Sequence, residues 1–121
     1  MGLGRHLLAD LHGVAPHRLS DPAWIESRLR EAAAEAGATP LAGHFHHFGE
    51  GLGVTGVLLL CESHMTIHTW PEHGFAAIDV FMCGEAEPER AVEALRLHLQ
   101  PARLDLSSSV RGHLLPAGPD V

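Results

Sequence analysis

Residues 61 to 72 read CESHMTIHTWPE and bring together a Glu-Ser pair, two histidines four positions apart and an acidic turn. Two chemistries can be judged on spacing alone. A serine near a histidine can serve as nucleophile and base. Here there is no G-x-S-x-G elbow, no third carboxylate that orients the histidine and no assignable oxyanion hole, so Ser63 and His68 alone are a weak hydrolase signature, and a plain turn serine is the bland alternative. Histidines at i and i+4 can hold zinc on a helix. MTIHTW is β-branched and runs into Pro71, which favours a strand, where that spacing sets the two side chains about 13 Å apart. No active-site metal is expected, and His17, His44, His46 and His98 read as solvated or hydrogen-bonded surface histidines.

The elements around this stretch follow from periodicity and turn residues. Residues 5–13 suit a strand that closes on a glycine turn, and 39–48 with 53–61 suit a strand pair around the loop GEGLG. Two more strands are predicted near 64–69 and 75–83, and a last short one at 102–109. SDPAWIESRLREAAAEAGA opens with Ser20 or Asp21 as N-cap, puts Pro22 in the first turn and repeats apolar residues at Trp24, Ile25, Leu29, Ala32 and Ala36 before Gly37, so it reads as an amphipathic helix. EPERAVEALRLHLQ supplies a second helix, and the tail LLPAGPDV looks loosely held. High strand content without regular βαβ alternation gives the α+β class, an antiparallel sheet with both helices on one face. The other face needs cover, and a second copy of the sheet would supply it, so a homodimer is expected.

The chain of 121 residues is read as one domain. A formal net charge of −7 argues against nucleic acid, no apolar run approaches a membrane span, and the first residues lack a secretory pattern, so the expected place is the cytoplasm. Cys61 and Cys83 read as free thiols in such a compartment. All eight basic residues are arginine and none is lysine. That excludes a pyridoxal-phosphate Schiff base and a P-loop within this chain.

ESHMTIHTWPEHGFAAIDVFMCG, with GRHLLADLHG before it, FHHFGEGLGVTGV in the middle and VRG near the end, closely resembles the bacterial S-adenosylmethionine decarboxylase proenzymes, a family of small pyruvoyl-dependent enzymes. The resemblance implies self-cleavage between Glu62 and Ser63 into a 1–62 β chain and a 63–121 α chain. Ser63 becomes a pyruvoyl group, which forms the Schiff base with substrate and replaces pyridoxal phosphate as electron sink. It also implies that His68 is the processing base, that Cys83 is the acid that protonates the product carbanion, and that Glu72 holds the ribose hydroxyls. Phe48 is implied as a stacking partner for adenine and the sulfonium, with a core aromatic as the alternative. Cys61 matches no catalytic position of the family and is expected to be a buried small residue.

Several positions depart from the family pattern. Thr55 stands where a serine commonly supports processing, His47 replaces a frequent basic residue, and Asp10 a frequent glutamate. His73 and Phe75 stand where tyrosines are common, and GEGLG is one residue longer than usual. None touches Ser63, His68 or Cys83, so decarboxylation is more firmly implied than the substrate. The implied activity is decarboxylation of S-adenosylmethionine to the aminopropyl donor for spermidine synthesis. A pyruvoyl-dependent decarboxylase of L-arginine or L-ornithine on the same fold, and an unprocessed regulatory homologue, are the alternatives.

Overall fold

A computed structural model describes residues 2–115; of the tail expected to be loosely held, residues 116–121 lie outside the described residues. Six strands, β1 (Gly2–His12), β2 (Pro40–His47), β3 (Val54–Leu60), β4 (Ser63–Trp70), β5 (Phe75–Cys83) and β6 (Arg103–His113), form one sheet in the order β2-β3-β4-β5-β1-β6. Every neighbouring pair is antiparallel. The two helices are α1 (Pro22–Glu35) and α2 (Pro88–Leu99). α1 packs on α2 and over β2 and β3, while α2 lies over β1 and β5, so both cover one face.

Alternation sets that face. Along β5, Ala76, Ile78, Val80 and Met82 are buried beneath the helices, while Ala77, Asp79, Phe81 and Cys83 point to the other side and are only half-buried. In α1 the buried residues Ile25, Leu29, Ala32 and Ala33 recur at helical spacing, and the alanines keep the side facing α2 slim. Asp21 is the cap: its carboxylate accepts from the N–H groups of Ala23 and Trp24 at 3.0 and 3.2 Å, an arrangement worth about 1 kcal/mol. Ser20 instead donates to the Pro16 carbonyl at 2.7 Å.

Two sequence expectations are corrected. The last strand is not short: β6 pairs with β1 in one constant register from Arg103 to Arg111, because a long partner supplies the ladder that its serines alone would not favour. Cys61 is not buried; it sits exposed in the two-residue turn between β3 and β4, where neither face of the sheet can cover it.

Thr69 is the buried polar side chain of the core. Its hydroxyl accepts from the Val54 N–H at 2.8 Å and donates to the Leu19 carbonyl at 2.6 Å. Gly53 lies so close that a Cβ there would sit 1.8 Å from the Thr69 carbonyl oxygen. These contacts lock the start of β3 onto the end of β4. The open face, by contrast, carries large exposed apolar side chains, among them Leu8, Leu59 and Trp70.

Candidate active site

At one end of the sheet, β3 turns into β4 through Cys61 and Glu62, with Leu60 paired to Ser63 across the turn. Glu62 has φ 59°, a left-handed conformation that glycine or asparagine adopts far more readily in the second position of such a turn. The next peptide bond is the one between Glu62 and Ser63. Ser63 opens β4 half-buried, and its Oγ accepts from the Cys83 N–H at 3.2 Å. The last residue of β5 therefore holds the hydroxyl of the first residue of β4. Cys83 is half-buried beside it, on the open face by alternation. The structure thus brings Glu62, Ser63 and Cys83 together.

His68 lies elsewhere. It pairs with Thr55 across β3 and β4, and its Nδ1 is 3.1 Å from the Thr55 hydroxyl. Its ring stacks near Trp70 at 6.1 Å. Glu72 follows in the 3-10 turn Pro71–His73 at the same end of β4, exposed to solvent. Phe48 leaves β2 at this end too; the residue is 56% exposed and its ring meets His46 edge-on at 4.7 Å, which sets aside the alternative of a core aromatic.

Ser63 and His68 are five residues apart on one strand. That odd spacing puts them on opposite faces, with about 17 Å between them along the strand. Within a single chain, then, the candidates form two clusters: Glu62, Ser63 and Cys83 at one end, and Thr55, His68, Glu72 and Phe48 at the other. The described residues contain no group of three or more metal-ligating side chains with the geometry to hold an ion.

Between the clusters the open face carries a polar group that sequence reading did not single out. Asp79 accepts from the Thr66 hydroxyl at 2.8 Å and lies 3.4 Å from His6 Nε2. The His6 ring meets Phe81 and His64 edge-on. The signal was present as polar residues at alternate positions, 64, 66 and 68 on β4 and 79 on β5, but periodicity alone does not say which strands are neighbours.

Residues 5–112 match the family model described as S-adenosylmethionine decarboxylase. A protein of a Sulfurihydrogenibium species named S-adenosylmethionine decarboxylase proenzyme is 44% identical, over 98% of this chain and 88% of its own length. One of the same name from Persephonella marina is 46% identical, over 91% of this chain and 83% of its own. Among solved structures, the adenosylmethionine decarboxylase from Aquifex aeolicus superimposes with a TM-score of 0.86 at 38% identity, covering 97% of both chains.

Proposed function

The chain belongs to the S-adenosylmethionine decarboxylase family, and we propose that it is a self-cleaving, pyruvoyl-dependent enzyme that decarboxylates S-adenosylmethionine. The observation that carries this reading is the corner where Ser63 follows the left-handed Glu62 and is held by the Cys83 N–H. Attack of the Ser63 hydroxyl on the Glu62 carbonyl converts the amide to an ester. A base then removes the Cα proton of residue 63, the Glu62 carboxylate leaves, and the resulting dehydroalanine takes up water and loses ammonia to leave a pyruvoyl group. The left-handed Glu62 stores on the order of 1 kcal/mol that cutting the bond releases. The products are the chains 1–62 and 63–121.

The corner suits such a group: residue 63 is half-buried, and the Cys83 N–H offers a donor to an oxygen on it. When formed, the group supplies the electron sink that pyridoxal phosphate supplies in lysine-dependent decarboxylases. In this reading the Cys83 thiol returns a proton to the substrate carbon.

His68 cannot serve its own Ser63 from the opposite end of β4, about 17 Å away along the strand. A second copy stacked on the open face about a two-fold axis that runs between the sheets and perpendicular to the strands brings the His68 end of one chain to the Ser63 end of the other. The exposed Leu8, Leu59 and Trp70 supply an apolar surface for that contact. In this homodimer His68 of one chain, oriented by Thr55, acts as base on the other chain's residue 63. Glu72 then accepts from the ribose hydroxyls, and Phe48 presents its ring to adenine and the sulfonium. The substrate lies between the copies.

The test is release of labelled carbon dioxide from carboxyl-labelled S-adenosylmethionine, L-arginine and L-ornithine by the purified protein, with Ser63→Ala as control. Release from S-adenosylmethionine alone supports the reading. Release from arginine or ornithine in its place overturns the substrate, and release from none overturns the activity.

A further inference from the structure

The two edges of the sheet differ. β2 begins at Pro40, shifts register between Pro40 and Ala42 and is only 8 residues long, features that discourage another strand from pairing. β6 is 11 residues long, keeps its register without a bulge from Arg103 to Arg111, and contains neither proline nor lysine. Nothing among the described residues pairs with its outer side. Its sequence, LDLSSSVRG from Leu104 to Gly112, is chemically symmetric about Ser108.

We propose that the β6 edges of two copies pair antiparallel about a two-fold axis at Ser108, joining two six-stranded sheets edge to edge. In that register Ser108 faces Ser108 of the second copy once, on the axis, while Ser107 faces Ser109, Leu106 faces Val110 and Asp105 faces Arg111, each of these three pairs occurring twice. Opposed residues of an antiparallel pair share a face. Leu106 and Val110 lie on the helix side opposite Ala9 and Arg5, where both are about half exposed, while Asp105 and Arg111 lie on the open face. Apolar thus meets apolar and opposite charges meet, the cross-strand pairs that favour pairing. Asp105 already contacts Arg103 at 3.0 Å and His12 at 3.5 Å. Among the described residues Arg111 makes no ion pair within its own chain. A second copy supplies one. The contact is separate from stacking on the open face and compatible with it, because edge pairing about a perpendicular axis keeps both open faces on the same side.

Two variants of the full chain test this. Ser108→Cys, treated with oxidised glutathione, should form a disulfide-linked pair through Cys-substituted position 108, since residues opposed at the axis lie about 4.5–5.5 Å apart at Cα. Arg103→Cys is the control, because its two copies would lie about 33 Å apart, and the wild type reports any background from Cys61 and Cys83. At least tenfold more linked species from Ser108→Cys than from either control is expected. Ser108→Lys, which sets like charges against each other at the axis, should halve the number of copies seen by native mass spectrometry while leaving the circular dichroism spectrum unchanged. Equal linking in variant and controls, or an unchanged copy number in Ser108→Lys, overturns the proposal, whatever the outcome for decarboxylation.

Discussion

Ser63→Ala and His68→Ala should each abolish cleavage alone and restore it when co-expressed. Five residues of β4 separate Ser63 from His68 by about 17 Å within one chain. If each site takes Ser63 and Cys83 from one chain and Thr55 and His68 from the other, a mixed dimer has one site with both defects and one with none. Random pairing of equal amounts makes about half the dimers mixed, so about one quarter of all sites are intact. The assay is intact mass spectrometry of the co-purified proteins. About half of the His68→Ala chains should be cut between Glu62 and Ser63, and none of the Ser63→Ala chains. Uncut chains throughout the mixture would refute the shared site. Full cleavage of His68→Ala by itself would refute the role of His68.

Three further outcomes follow from contacts in the fold. Thr55→Val removes the hydroxyl beside His68 Nδ1 and should slow cleavage about fivefold, the effect of one lost hydrogen bond of about 1 kcal/mol, with Thr55→Ser restoring the rate; a time course of the cut fraction checks both. Glu62→Gly relieves the left-handed backbone at the scissile bond and should also slow cleavage, by up to about fivefold; an unchanged time course would show that the turn stores nothing the reaction uses. Thr69→Val leaves the Val54 N–H and Leu19 carbonyl without partners in the core and should cost about 2–4 kcal/mol in urea denaturation, with a loss below 1 kcal/mol contradicting the assignment.

The elements were largely legible in the sequence because their signals are local. Asp21 and Pro22 mark the start of α1, and the alternation of Ala76, Ile78, Val80 and Met82 marks the buried side of β5. The length of β6 was not legible, since its serines become a strand only by pairing with β1. Exposure of Cys61 was missed for a related reason: an apolar run before it looks like a strand that continues, and only the two-residue turn shows where it stops. The motif named the candidate residues but could not place them. That Ser63 meets Cys83 follows from the β4–β5 pairing, and that His68 lies on the other face follows from strand parity counted from Ser63. Counting along ESHMTIH gives that parity only once the stretch is known to be one unbroken strand. The Asp79, Thr66 and His6 contacts join three strands distant in sequence, a juxtaposition no local pattern encodes.

The claim on which the rest depends is that Ser63 becomes a pyruvoyl group. Intact mass spectrometry of the purified wild-type protein beside Ser63→Ala tests it most directly. The account predicts two wild-type chains that break between Glu62 and Ser63, the C-terminal one blocked to Edman degradation and carrying the mass of pyruvoyl in place of serine, and one uncut chain for Ser63→Ala. A single uncut chain in both samples would contradict it.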